Sequence, residues 1–264
     1  MKYILICLVG LLYSCSQAPS WQYQSTYSLD DVNPIGLATK ADQLWISDSD
    51  HNKIVQVDAQ GAVIHQDTAF DRPMHIAGDA TNLYVPEYGI DQITVVNDAR
   101  ASLPLTDSLD APAAVDVADG KYAIADFYNH RIIYGTGTEW ITFGQEGNAR
   151  GQLYYPTDVQ IYGGEIYVAD AYNNRVQVFN TAGEYQRLFG VNEEMNAATG
   201  LYIHDGEVFI TDFENDRVLI YTTDGALVQI LEEGLEKPAD MIWYRDHLYI
   251  ANYKGKNLMT FIKK

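Results

Sequence analysis

Three polar side chains stand at equivalent positions of a repeating chain, and together they could bind a metal ion or exchange protons. His75, Asp158 and Asp240 each follow a repeated anchor residue by two positions, where a predicted strand begins. One imidazole and two carboxylates are groups that ligate divalent cations and act as acids and bases. The alternative is that they cap backbone amides or hold ordered water. We expect Ca²⁺ to suit this oxygen-rich set better than Zn²⁺.

A set of aromatic residues lies in the predicted turns, just after an acidic position that recurs in most repeats. Exposed rings with a polar handle are good platforms for sugars, peptides and planar ligands. The alternative is that these rings pack between neighbouring repeats. The residues predicted to bind such a ligand are Tyr88, Phe127, Tyr128, Tyr172, Phe213 and Tyr253.

Both sets are positioned by six imperfect repeats of about 40 residues each. An acidic or amide residue stands fourteen positions after each anchor, and in four repeats a basic residue follows five positions later, as in Asp126 and Arg131. We expect these acid–base pairs to be structural. Within the repeats, β-rich runs such as residues 165–169 and 175–179 are separated by turn signals, so each repeat predicts a small antiparallel sheet. The anchors are Pro34, Pro73, Pro112, Pro156, Ala198 and Pro238.

The segments at residues 124–132 and 155–179 resemble NHL repeats. The resemblance extends over nearly all of residues 33–262, and it implies an all-β fold, a six-bladed β-propeller spanning residues 21–264. The sixth repeat ends after its third strand. The β-like segment at residues 21–27 is predicted to complete this last blade and so to close the ring.

The N-terminal residues have the pattern of an exported protein. Residues 1–14 combine a short positive start with an apolar run too short to span a bilayer as a permanent helix, which is typical of a signal peptide. The sequence around Cys15 resembles the lipobox of bacterial lipoproteins, which implies cleavage before Cys15 and lipid attachment to its thiol. Residues 15–20 would then form a tether, and Ser16 favours the outer membrane. The alternative is an ordinary signal peptide with a chance cysteine.

The charge of the chain excludes one class of partner. The 264 residues carry a net charge of −19, with 36 acidic against 17 basic residues. Nucleic-acid binding needs a basic surface, so that function is excluded. The sequence also lacks a Gly-rich phosphate loop, a paired-cysteine metal motif and a Gly-x-Ser-x-Gly nucleophile elbow. We expect a monomer.

Two functions are compatible with this sequence. The first is a lipid-anchored, noncatalytic binding or scaffolding propeller that presents its aromatic residues to a peptide, glycan or protein in the cell envelope. This expectation follows from the resemblance, since NHL-like propellers serve as interaction platforms. The second is a metal-dependent lyase or lactonase-type hydrolase, since related six-bladed propellers hold a cation on their axis. Those lyases have several axial histidines, whereas this chain offers His75 with Asp158 and Asp240.

Overall fold

The chain forms a ring of six four-stranded antiparallel sheets, the blades of a β-propeller. The computed structural model describes residues 19–264. In blades 1 to 5 the four strands follow one another in sequence, because each repeat supplies four short β-rich runs joined by turns. The predicted all-β six-bladed propeller is therefore confirmed.

The strands are numbered here in chain order and grouped by blade, from the channel outwards. Blade 1 contains β2 Gly36–Lys40, β3 Gln43–Asp48, β4 Lys53–Val57 and β5 Val63–Asp67; blade 2 contains β6 Ala77–Gly78, β7 Leu83–Glu87, β8 Gln92–Val96 and β9 Arg100–Ser102; blade 3 contains β10 Pro112–Ala118, β11 Lys121–Asp126, β12 Arg131–Gly135 and β13 Trp140–Phe143. Blade 4 contains β14 Pro156–Tyr162, β15 Glu165–Asp170, β16 Arg175–Asn180 and β17 Tyr185–Phe189; blade 5 contains β18 Ala198–His204, β19 Glu207–Asp212, β20 Arg217–Thr222 and β21 Leu227–Leu231; blade 6 contains β22 Pro238–Tyr244, β23 His247–Asn252, β24 Asn257–Lys263 and β1 Trp21–Ser28. Two 3₁₀ helices, Ala171–Asn173 and Phe213–Asn215, occupy turns of blades 4 and 5.

Blade 6 takes its outer strand from the beginning of the described chain. Strand β1 pairs antiparallel with β24, in a register that sets Trp21 opposite Lys263 and Tyr27 opposite Leu258. The Trp21 side chain is buried, and its indole Nε1 donates to Glu207 Oε2 of blade 5 at 3.0 Å. The predicted closure of the ring by an N-terminal strand is therefore confirmed.

The hydrophobic core lies between adjacent blades. One cluster joins Tyr167 and Val178 of blade 4 to Val208 and Ile210 of blade 5, and each further cluster likewise spans neighbouring blades. Middle strands such as β15 and β19 are buried on both faces, whereas outer strands such as β5 and β9 are mostly exposed. No helix within residues 19–264 has the length and apolar character needed to cross a bilayer.

The predicted signal peptide and Cys15 lie outside the described residues. The described chain begins beside its own C-terminal end, where Ser20 and Lys264 exchange two backbone hydrogen bonds of 2.6 and 2.9 Å. Of the predicted tether at residues 15–20, only residues 19 and 20 are described, and they lead into the outer edge of blade 6.

Candidate functional site

His75, Asp158 and Asp240 meet on the propeller axis. They come from the inner-strand regions of blades 2, 4 and 6, so every second blade contributes one side chain. The three residues are only 5%, 4% and 5% exposed. One ligand atom from each lies within 4.8 Å of the other two. We call these three residues the axial triad.

Small residues in blades 1, 3 and 5 make room for the triad. They stand at the equivalent positions and are Gly36, Ala114 and Gly200. A Cβ atom on Gly36 would lie 2.7 Å from the Cα atom of His75, and one on Gly200 would lie 2.1 Å from the carbonyl oxygen of Ala239. The inner strands approach so closely that the ring cannot hold six large side chains. The six-fold repeat is thereby reduced to a three-fold arrangement on the axis.

The two carboxylates of the triad are held by backbone amides. Asp158 Oδ2 accepts from Leu201 N in blade 5, and Asp240 Oδ2 accepts from Leu37 N in blade 1, each at 2.7 Å. The Oδ1 atom of each carboxylate accepts from the amide of its own following residue. The alternative interpretation, that these groups cap backbone amides, is thus correct for both aspartates. Each carboxylate oxygen still has a lone pair free for another partner.

His75 differs from the two aspartates because its ring nitrogen Nδ1 is buried without a hydrogen-bond partner. Nδ1 lies 3.8 Å from Asp158 Oδ2 and 3.7 Å from Asp240 Oδ2, beyond hydrogen-bond distance. Burial alone would lower the pKa of His75, but the two carboxylates outweigh it and raise that pKa above its ordinary value. Burial raises the pKa of Asp158 to about 8, and the negative charge of Asp240 adds to this effect while His75 opposes it.

The triad fits a divalent cation with one nitrogen and two oxygen ligands. A buried, unpartnered imidazole nitrogen is costly unless something occupies it. The pKa values of His75 and Asp158 are both raised, and perturbed groups of this kind are concentrated at functional sites. Three protein ligands with a further open position are typical of catalytic Zn²⁺ sites, whereas Ca²⁺ takes six to eight oxygen ligands. The expectation of Ca²⁺ stays a prediction, and the donor set also suits Zn²⁺ or Mn²⁺.

A cavity of about 160 Å³ adjoins the triad. It is lined by residues further along the inner strands, including Thr39, Gly78 and Gln160, and these are partly exposed. The cavity therefore extends from the buried triad towards the C-terminal ends of the inner strands. This is the opposite direction from the turns that carry the aromatic residues, because those turns lie beside the strand starts, as the pairing of Pro112 with Asp126 shows.

The predicted aromatic residues form two groups. Tyr88, Phe127, Tyr128 and Tyr172 lie in one cluster across blades 2, 3 and 4, with ring centroids 5.1 to 6.3 Å apart where they contact. Tyr128 is 48% exposed and Tyr172 is 62% exposed, whereas Tyr88 and Phe127 are half-buried. Phe213 and Tyr253 form a separate pair with centroids 6.0 Å apart.

The sequence analysis missed two members of the larger group. Tyr155 lies at its centre, 4.8 Å from the ring centroids of both Phe127 and Tyr172, and Tyr154 packs on Tyr155 at 4.6 Å. The signal that could have found them is their place just before the anchor Pro156, since this connection and the aromatic turns share one face of the propeller. We call Tyr88, Phe127, Tyr128, Tyr154, Tyr155 and Tyr172 the aromatic cluster.

A surface depression of about 510 Å³ lies between the two aromatic groups. Phe127, Tyr172 and Phe213 contribute rings to its wall, and amide and hydroxyl groups such as Asn196 and Thr157 complete it. The depression thus combines flat apolar surfaces with hydrogen-bonding groups, as ligand pockets do. Its volume is about three times that of the axial cavity.

The recurrent acidic or amide residues of the turns have one shared role. Each accepts a hydrogen bond, 2.6 to 3.1 Å long, from the backbone N–H of a residue sixteen positions earlier in the chain, or fifteen positions earlier in blade 1. We call them the turn acceptors: Asp48, Glu87, Asp126, Asp170, Asp212 and Asn252. In blades 3, 4 and 5 an arginine Nε also donates to the acceptor at 2.7 to 2.8 Å. These contacts support the expected structural role of the acid–base pairs.

Comparison with known proteins agrees with this architecture. Residues 153–179, in blade 4, match the family model described as NHL repeat. No curated protein matches the chain by sequence. Among solved structures, the chain is similar to virginiamycin B lyase from Staphylococcus aureus, with 11% identity, a TM-score of 0.66, and coverage of 92% of this chain and 99% of that one.

Two other solved structures share the fold. A gluconolactonase from Xanthomonas campestris is 16% identical, with a TM-score of 0.72 and coverage of 90% of this chain and 89% of that one. A chain of a nidogen/laminin complex is also 16% identical, with a TM-score of 0.64 and coverage of 75% and 80%. At such low identity the likeness concerns the fold alone, and the same fold serves enzymes and a protein complex. The chain is a six-bladed β-propeller that contains an NHL repeat in its fourth blade.

Proposed function

We propose that this propeller is a metal-dependent enzyme, a lyase or lactonase-type hydrolase, with a divalent cation bound by the axial triad. The observation that carries the proposal is the buried Nδ1 of His75, which has no partner and faces two carboxylates less than 4 Å away. The fold shared with virginiamycin B lyase and a gluconolactonase is compatible with such chemistry. It does not by itself assign it.

The residues of the chain have distinct parts in this proposal. His75, Asp158 and Asp240 would hold the cation, and the backbone amides of Leu201 and Leu37 would keep the two carboxylates oriented. A bound divalent cation supplies Lewis acidity, which polarises a carbonyl group or lowers the pKa of water. Because the pKa of Asp158 is raised to about 8, the empty triad retains a proton at neutral pH, and cation binding would release it.

Elemental analysis tests this proposal. We expect the purified protein, equilibrated separately with Zn²⁺, Mn²⁺ and Ca²⁺ and then desalted, to retain a stoichiometric amount of at least one of them. Asp158→Asn should lose most of that metal, because an amide is a weaker ligand than a carboxylate. Asp119→Asn is the matched control, since it removes one charge from an exposed turn of blade 3. Absence of stoichiometric metal from the wild-type protein would contradict the proposal.

The aromatic cluster favours a second candidate function, the binding of a peptide, glycan or protein ligand. The specific observation is the exposure of Tyr128 and Tyr172 beside a depression of about 510 Å³. Such rings lose little conformational entropy on binding and offer large apolar areas. In this case the propeller would be a binding or scaffolding module, and the axial triad would only join the blades.

A binding assay distinguishes this second function. We expect Tyr172→Ala to abolish capture on a glycan array or in a pull-down with envelope peptides. Tyr23→Ala is the matched control, because Tyr23 is 46% exposed on strand β1 of blade 6, away from the cluster. Equal capture by both variants would contradict a role for the aromatic cluster.

We further propose that the protein is exported and anchored in the cell envelope by a lipid on Cys15. Cell fractionation tests this proposal. The support is the lipobox-like sequence and the start of the propeller at residue 20, which leaves a short tether. Cys15→Ser should move the protein from the membrane fraction to the soluble exported fraction. Retention of this variant in the membrane fraction would contradict the lipid anchor.

A further inference from the structure

The axial channel has a polar wall and an apolar wall. The residues four positions after each anchor line the cavity next to the axial triad. In blades 3, 4 and 5 they are polar, and in blades 6, 1 and 2 they are apolar. In blade order from 1 to 6 they are Ala38, Ala77, Asp116, Gln160, Tyr202 and Ile242. The two chemical characters are thus separated on opposite sides of the channel.

The polar wall carries an unneutralised carboxylate. Asp116 Oδ2 accepts from Ile161 N at 2.7 Å. Burial raises the pKa of Asp116 to about 6, and only backbone N–H groups, those of Ile161 and Val117, oppose this effect. None of the residues lining the cavity is a lysine or an arginine. Desolvated carboxylates are costly without a cationic partner, and such perturbed groups in a cavity are concentrated at functional sites.

The unpartnered Nδ1 of His75 lies in the lining of the same cavity, where the proposed cation would bind. His75 lies on blade 2 and is not hydrogen-bonded to Asp116, so the triad and the polar wall are separate features of this cavity. The cavity volume of about 160 Å³ corresponds to about five water molecules at about 30 Å³ each. A ligand there is therefore a small molecule or the narrow end of a larger one.

We propose that this channel selects a small ligand with a primary ammonium group, which pairs with Asp116. Gln160 of blade 4 and Tyr202 of blade 5 offer further hydrogen-bonding groups to the same polar end of the ligand. The hydrocarbon part lies on the apolar wall formed by Ile242 and the two alanines. An anionic ligand is disfavoured at the polar wall, because Asp116 has no lysine or arginine beside it in the lining of the cavity. This inference rests on the proposed function, since it names the substrate class of the channel beside the triad.

The test uses three probes of similar size: n-butylammonium, n-butanol and butyrate. Their binding is measured by saturation-transfer NMR at pH 8, where Asp116 is ionised, with the full-length protein. We expect the wild-type protein, treated with a chelator, to bind butylammonium most tightly and butyrate most weakly. Asp116→Asn should weaken butylammonium binding at least about tenfold, which corresponds to about 1.4 kcal/mol. The control Asp119→Asn, with its exposed turn position, should bind as the wild type does.

Three results would overturn the inference: butyrate binding as tight as butylammonium binding, an unchanged affinity in Asp116→Asn, or a loss of affinity in Asp158→Asn alone. The last would place the ammonium group at the triad. Failure of the proposed metal site is distinguishable, because it is read by elemental analysis. A metal-free protein that still prefers butylammonium, through Asp116, would contradict the metal site and support the polar wall. A protein that binds metal but does not prefer butylammonium would support the metal site and contradict the role of the polar wall.

Discussion

Carboxylates occur in this propeller in two settings, at the turns of the blades and on the axis, and they behave differently. Every turn acceptor receives the same backbone hydrogen bond, in all six blades. At the level of the axial triad only alternate blades carry a polar side chain, and one of these has a nitrogen without a partner. A role repeated six times is that of the scaffold. A departure from the repeat that leaves polar groups unpaired is where a ligand is expected.

The largest effect should follow from opening the ring that holds both settings in place. Deleting residues 21–29 removes strand β1 together with the buried side chains Trp21 and Leu29. Loss of one large buried side chain costs about 3–5 kcal/mol, so we expect the melting temperature to fall by at least about 10 °C. Calorimetry of the deletion variant measures this. An unchanged melting temperature would contradict closure by β1.

The next largest effect should come from a turn acceptor. Asp170 is fully buried and accepts hydrogen bonds from Tyr154 N and from the side chains of Arg175 and Gln177. Asp170→Ala leaves the buried guanidinium of Arg175 with backbone carbonyl acceptors but without its carboxylate, so we expect a loss of about 3–5 kcal/mol in the free energy of unfolding. Denaturant titration measures it.

The control for this turn acceptor is an ion pair nearer the solvent. Asp67→Ala removes a partner of Arg100 where both side chains are about one-third exposed, and it should cost less than about 1 kcal/mol. Equal losses in the two variants would show that the turn acceptors are no more important than surface pairs.

A smaller loss should follow from disturbing the alternation on the axis. Gly200→Ala places a methyl group 2.1 Å from the carbonyl oxygen of Ala239, and such overpacking costs about 1–3 kcal/mol. Because the shifted strand also carries Asp240, the variant should retain less metal. Gly206→Ala is the control in the same blade, since its Cβ would have no neighbour within 4 Å although its φ is +77°. A normal metal content in Gly200→Ala would argue against the close fit of the triad.

The smallest effect is a gain of stability instead of a loss, and it depends on pH. The pKa of Asp116 rises from 3.8 to about 6 on folding. Its contribution to stability is therefore fully present below about pH 4 and is lost as the pH rises through about 6. Asp116→Asn should be more stable than the wild type at pH 8, by about 1–2 kcal/mol because the channel is partly open to water. The difference in the free energy of unfolding between Asp116→Asn and the wild type should vanish at pH 4. Denaturant titrations of the chelator-treated proteins at both pH values measure it. An equal difference at the two pH values would contradict this expectation.

Residues that recur at the same position of each repeat made most of the fold predictable. The anchor spacing gave the number of blades, and the strand left over at residues 21–27 indicated how the last blade is completed. The same register predicts that His75, Asp158 and Asp240 lie at one level of the channel, and their side chains do meet there. Periodicity is sufficient here because each blade contacts only its neighbours, so the local pattern and the global arrangement are the same information.

The contacts of residues that differ between the repeats were less predictable. His130 has no sequence signal that distinguishes it, yet it is buried and its Nδ1 accepts a hydrogen bond from Tyr155 N. Tyr154 and Tyr155 belong to the connection before an anchor, and only the contact between blades 3 and 4 brings them into the aromatic cluster. Asp116 had no distinguishing sequence signal, because an aspartate in a strand does not reveal whether a cation is near it.

The amino-acid sequence by itself determined the number of blades, their strand order and the level of the axial residues, since these follow from a repeat of fixed length. The tertiary structure alone decided which groups remain unpaired. It showed that the carboxylates of Asp158 and Asp240 are already held by amides, that Nδ1 of His75 is not, and that the cavity extends away from the aromatic cluster. The physical reason is that hydrogen-bond partners and cavities depend on distances of a few tenths of an ångström between blades, which residue types and spacing do not specify.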